Sequence, residues 1–128
     1  AGSVHDYFLA QSYGQLDVTF DVVGPVTLSK NMASYGGNDS NGDDKNPAGM
    51  VYEAIKLTKQ QNPSLNFKNY DWNNDGEVDQ VYLIYAGYGE SSDEDGSLAN
   101  TIWPHEWQLS AANYKLSYDG VTIDTYGC

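Results

Sequence analysis

The chain has 128 residues and a mass of 14.1 kDa, enough for one ordinary domain that buries roughly two thirds of its unfolded surface without disulfide support. Its one cysteine, Cys128, excludes an internal disulfide or a cysteine-built zinc cluster, and no apolar run approaches the roughly 20 residues that span a bilayer. Eighteen acids against six lysines and no arginine give a net charge of −12, which excludes nucleic acid and anionic membranes as partners because phosphates are neutralised by clustered Lys and Arg, while eleven Tyr, three Trp and three Phe argue against disorder.

Ser3 followed three residues later by Asp6 reads as a helix cap, and Val4, Tyr7, Phe8 and Gln11 continue at helical spacing, so the first element is a helix over 3–12. From Leu16 the pattern alternates: Leu16, Val18, Phe20 and Val22 lie on one face, with Asp17, Thr19 and Asp21 on the other. This predicts a strand with one wet face, bent at Gly24-Pro25 and resumed by Val26 and Leu28. Residues 34–46 carry only Tyr35 as a sizeable apolar side chain and are dense in Gly, Asn and Asp, which marks a loop. Asn46-Pro47 then caps a helix in which Met50, Val51, Ala54, Ile55, Leu57 and Thr58 keep helical spacing until Asn62-Pro63 stops it.

Val81 to Ala86 is continuously apolar, as a central strand covered on both faces would be. A long acidic loop over 87–96 follows, and Thr101-Ile102-Trp103 begins another strand that Pro104 keeps at an edge. Tyr114–Tyr118, Asp119-Gly120 and Val121–Ile123 read as a hairpin, since Asp-Gly favours a type I′ turn. The sum is a single α+β domain over 1–128: a twisted mixed β-sheet with backing helices. A start two residues before a helix cap and a stop on Cys128, just after a paired strand, lead to the expectation that the chain is a fragment of something longer.

Nine of the eighteen acids fall between Asp71 and Glu106, a stretch without a lysine. Within it, Asp71, Asn73, Asp75 and Asp79 place side-chain oxygens at positions 1, 3, 5 and 9 of a loop, with Gly76 at position 6 and Glu77 at position 7. Such one-apart spacing wraps oxygens around a hard cation, which takes six to eight of them, and Gly permits the left-handed turn. Position 12 is Tyr82 rather than Glu, so the loop is not an EF-hand. The plain alternative is a turn made by turn-forming residues. Four carboxylates in nine residues repel by about 1 kcal/mol per close pair in water, a cost that a divalent ion reverses, so the assigned ligand set is Asp71, Asn73, Asp75, Glu77 and Asp79 with structural calcium. Asp39, Asn41, Asp43 and Asp44 form a weaker second candidate, with Gly42 at position 4.

His105-Glu106 suggests the start of HExxH, but the residue where the second His belongs is Leu109, and the only other histidine is His5. The blander reading is that His105 hydrogen-bonds a loop while Trp103 and Trp107 pack. A nucleophile elbow and a phosphate-binding Gly loop are both missing, and Glu90 or Glu106 as a general acid has nothing beyond its charge to support it. No catalytic residue is assigned.

Three segments in order carry a resemblance: Ser12–Leu16 running into Phe20–Val26; Tyr70-Asp71-Trp72 through Asp79–Tyr82 into Ala86–Glu90; and Thr101–Trp107. Together they resemble the immune inhibitor A family of secreted bacterial zinc metallopeptidases, over nearly the whole chain. The resemblance implies a zincin fold, with this chain as the N-terminal part of the catalytic domain and residues 47–61 as the backing helix. It also implies that the zinc-bearing HExxH helix belongs only to the longer parent protein, leaving this chain inactive alone and prone to self-association through uncovered surface. A protein or peptide substrate of the parent enzyme and a secreted or cell-surface location follow from the same likeness. The alternative from another class is a non-catalytic, calcium-stabilised extracellular binding module that uses its aromatic residues as a platform.

Overall fold

The computed structural model describes residues 2–128. Helix α1 spans Val4–Gln11 and begins as its sequence requires: Asp6 N–H donates to Ser3 Oγ at 3.1 Å, and Ser3 N–H donates back to the Asp6 carboxylate at 2.8 Å. None of its residues is buried, so local capping rather than packing holds it. The expected loop at 34–46 contains a single helical turn, α2 (Ala33–Gly36), which sinks Tyr35 into the core while the Tyr35 hydroxyl donates to Glu53 Oε2 at 2.6 Å. Gly36 is needed there because a Cβ would sit 2.3 Å from the Thr101 carbonyl oxygen, so only glycine lets the two backbones touch.

Helix α3 runs Pro47–Gln61. Asn46 Oδ1 accepts from Gly49 N–H at 3.0 Å, and Pro47 occupies the first turn, where a missing N–H costs nothing. Its Met50, Val51 and Ile55 are buried in one hydrophobic core with Phe67, Val78, Ile102 and Tyr126.

The sheet is small and mixed: β5 (Thr125–Gly127) lies in the centre, β1 (Val81–Tyr82) pairs parallel on one side and β2 (Glu106–Gln108) antiparallel on the other. A separate hairpin joins β3 (Ser117–Tyr118) to β4 (Val121–Thr122). Its turn residues Asp119 and Gly120 have φ of 57° and 85°, the two positive values that a type I′ turn demands. The α+β class, the helix at α3 and the hairpin are thus as the sequence predicts.

Three strand expectations are corrected. Residues 16–22 form no strand; Leu16 N–H bonds to Ser12 Oγ, and residues 17–28 make no backbone-to-backbone hydrogen bond among the described residues. Alternation supplied a face but no ladder partner. Val81–Ala86 is not the central strand: only Val81–Tyr82 pair, at the sheet edge, and Ile84 is 90% exposed. Thr101–Trp103 joins no ladder; backbone pairing with the chain end begins only beyond Pro104, where His105 and Cys128 exchange hydrogen bonds at 3.0 Å and β2 follows.

The hairpin turn is clamped to the helix. Asp119 accepts from Phe67 N–H at 2.9 Å and from Lys59 Nζ at 2.9 Å. The Phe67 N–H first and the Lys59 ammonium second hold the Asp119 carboxyl below its ordinary range. A lowered folded value means that stability is fully present above the unfolded carboxylate pKa and is lost as pH falls through the folded one. Acid titration of unfolding is expected to show this loss below the ordinary carboxylate range, and Asp119→Asn should flatten it.

Candidate functional site

A helical turn, Phe67–Tyr70, delivers the chain from α3 into the acidic loop 71–79, which ends at β1. The loop neck is closed by Asp79 N–H donating to the Tyr70 carbonyl at 2.9 Å. Its far side is stitched to β4 through Val78 N–H to Thr122 O at 2.9 Å and Thr122 N–H to Gly76 O at 2.8 Å. Val78, buried in the core, anchors this stitch. The turn itself uses left-handed backbone at Asn74 (φ 59°) and Gly76 (φ 90°).

Inside the loop the acids face backbone. The Asp71 carboxylate, the one buried charged group among the described residues at 9% exposure, accepts from Asp75 N–H and Gly76 N–H, each at 3.1 Å. Asn73 Oδ1 accepts from Asp75 N–H at 2.9 Å, and Asp75 Oδ1 accepts from Glu77 N–H at 2.8 Å. Asp79 Oδ2 accepts from Trp72 N–H at 2.6 Å. Glu77 turns the other way, its carboxylate accepting from Thr125 Oγ1 at 3.3 Å. The structure therefore brings Asp71, Asn73 and Asp75 to one turn, sets Asp79 at its neck and aims Glu77 across to β5. Among the described residues no three His, Cys, Asp or Glu side chains converge closely enough to hold a metal ion by themselves.

The second acidic loop behaves similarly. Asp39 Oδ1 accepts from Asn41 N–H at 2.7 Å and Asp43 N–H at 3.2 Å, whereas Asp44 leaves the turn and accepts from Trp103 N–H at 2.9 Å.

The histidines are committed elsewhere. His5 Nε2 lies 2.7 Å from Asp17 Oδ1, and that hydrogen bond raises its pKa. His105 has Nδ1 2.6 Å from the Trp103 carbonyl and Nε2 3.0 Å from the Tyr126 hydroxyl. A carbonyl can only accept, so Nδ1 donates to it, and Nε2 accepts the hydrogen bond donated by the Tyr126 hydroxyl. Burial pushes the Tyr126 phenol far above its ordinary range and the neighbouring Cys128 thiol upward as well. The expectation for His105 holds, but Trp103 and Trp107 do not pack; they are 56% and 58% exposed, and all three residues of the edge strand β2 are open to solvent. These residues do not fit a zinc ion.

An α+β domain with an acidic turn feeding its sheet and a His-Glu pair entering an edge strand is the architecture on which the comparisons bear. The sequence profile of the immune inhibitor A peptidase M6 catalytic domain matches residues 1–124, so the chain belongs to that family. Immune inhibitor A of Bacillus thuringiensis subsp. alesti is 25% identical over 136 aligned positions, covering 94% of this chain and 20% of the relative. The chain thus spans about a fifth of the length of the curated relative it matches.

Proposed function

We propose that this chain is part of the catalytic domain of a secreted bacterial zinc metalloendopeptidase, contributing sheet and scaffold rather than zinc ligands. The observation that carries this reading is the family match across residues 1–124. In the whole enzyme the zinc ligands come from elsewhere in the protein, since His5 and His105 are bonded to separate partners here. Its substrates are proteins or peptides. Taken alone, the chain hydrolyses nothing. The experiment is a labelled-casein assay on the purified chain with zinc and calcium supplied: no turnover above buffer is expected, and zinc-dependent cleavage that a chelator abolishes would refute the reading.

The loop at 71–79 holds a structural calcium ion in this reading, with Asp71, Asn73, Asp75 and Asp79 as side-chain ligands and Glu77 contributing through its position-7 carbonyl. Support comes from the oxygens at positions 1, 3 and 5 lying around one turn and from the positive φ at Gly76. Glu77 is less suited as a side-chain ligand because its carboxylate reaches Thr125. The ion would neutralise the loop's carboxylates where the chain enters β1 and fasten β4 to it.

A further inference from the structure

One face of α3 is a groove rather than a packed surface. Gly49, Tyr52, Glu53, Lys56 and Gln60 recur along it at helical spacing, Lys30 and Tyr114 join its lining, and the space it holds is about 370 Å³. That volume falls within the ordinary range of ligand sites. From Gly49 to Gln60 the helix rises roughly 16 Å, the reach of about five residues of extended chain.

The charge of this groove runs against that of the chain. Eighteen acids are available to six lysines, yet Lys30 and Lys56 both line the groove and neither enters an ion pair among the described residues, where Lys59 with Asp119 is the only lysine pair. The one acid in the lining is already taken: Glu53 Oε1 accepts from Ser29 N–H and Oε2 from the Tyr35 hydroxyl, each at 2.6 Å. Lys56 is held in position, its Nζ 5.0 Å from the centre of the Tyr52 ring. That ring lies 4.9 Å from the Tyr114 ring, whose hydroxyl accepts from Asn46 Nδ2 at 2.9 Å. Two ammonium groups therefore face the groove against one fully engaged carboxylate. At physiological ionic strength charges more than about 8 Å away are screened, so these local groups set what the groove attracts.

We propose that this groove binds a short extended peptide through a carboxylate, which pairs with the Lys30 and Lys56 ammonium groups. Leu57 and the Tyr52 and Tyr114 rings seat the neighbouring apolar side chain, and the Gln60 amide both donates to and accepts from a peptide bond. An inorganic anion would use the lysines and leave the aromatic lining idle. A nucleic acid would bring a row of phosphates against a chain of net charge −12. The groove shares no residue with the loop at 71–79 and does not depend on the chain's place in a peptidase.

Titration of the isotope-labelled full chain with the peptide N-acetyl-leucyl-leucyl-glutamate, followed through its backbone amide resonances at neutral pH, tests this. Saturable shifts are expected at Lys56, Gln60 and Tyr114, and converting both peptide carboxylates to amides should weaken binding at least tenfold. The double variant Lys30→Gln, Lys56→Gln should lose affinity by a similar factor while far-ultraviolet circular dichroism stays unchanged. If that variant loses structure, Lys30→Gln alone decides, since Lys30 is exposed. Sodium sulfate should bind more weakly than the peptide. No saturable shift in the groove, equal binding of the amidated peptide, unchanged affinity in the lysine variants, or sulfate binding as tightly as the peptide would each overturn the proposal, the last by making the groove a site for an adventitious ion only.

Discussion

Saturating calcium raises the melting temperature of this chain by about 10 °C, the expected result if the 71–79 loop holds an ion only when folded. Binding restricted to the folded state stabilises by about 2.7 kcal/mol at a hundredfold excess over the dissociation constant, and roughly 1 kcal/mol moves the melting point of a domain this size by about 4 °C. Asp75→Ala removes the carboxylate that receives the Glu77 N–H and lies against Asn73, so it should take away most of the shift. Differential scanning calorimetry with calcium and with excess chelator checks both arms. A variant that responds like the unaltered chain would make the loop an ordinary turn.

The larger single-site loss is expected at Tyr126. It sits in the central strand β5, 1% exposed, paired to Val81 on one side and to Trp107 on the other. Its ring meets the edge of His105 at 5.5 Å, and its hydroxyl bonds to His105 Nε2. Tyr126→Ala should cost about 3–5 kcal/mol, since truncating a buried aromatic loses both its burial and the volume it fills. Tyr126→Phe keeps the ring and removes only the hydroxyl, so about 1 kcal/mol is expected. Urea unfolding of the two variants distinguishes them. Equal losses would mean that the hydroxyl rather than ring burial holds β5 in place.

These two positions also show what the sequence could and could not reveal. Helix α3 was legible because everything it needs is local: the Asn46 cap, Pro47 in the first turn and a stripe at helical spacing. The same holds for Ser3 with Asp6, for Asp119-Gly120 and for the turn built by Asp71, Asn73, Asp75 and Gly76. The central strand was not legible. Thr125–Gly127 is three residues long, carries no alternating pattern, and is central only because β1 and β2 flank it. Conversely, Leu16–Val22 has the better strand pattern but no partner, and the apolar run at 81–86 leaves Ile84 in solvent. Strand identity depends on a remote edge, which periodicity does not encode. Long-range pairing also explains why Glu77 turns to Thr125 and why Asn38, Asp44 and Glu90 meet at all, contacts that loop spacing alone cannot anticipate.

A peptidase-family scaffold that holds calcium, as proposed, and supplies no zinc site of its own has a distinct metal content. Metal analysis tests it most directly: the purified chain is equilibrated with both metals, dialysed exhaustively against calcium-containing, zinc-free buffer, and measured by atomic emission. Bound calcium and no stoichiometric zinc are expected; one tightly held zinc ion per chain, with no calcium above buffer, would contradict the proposed function.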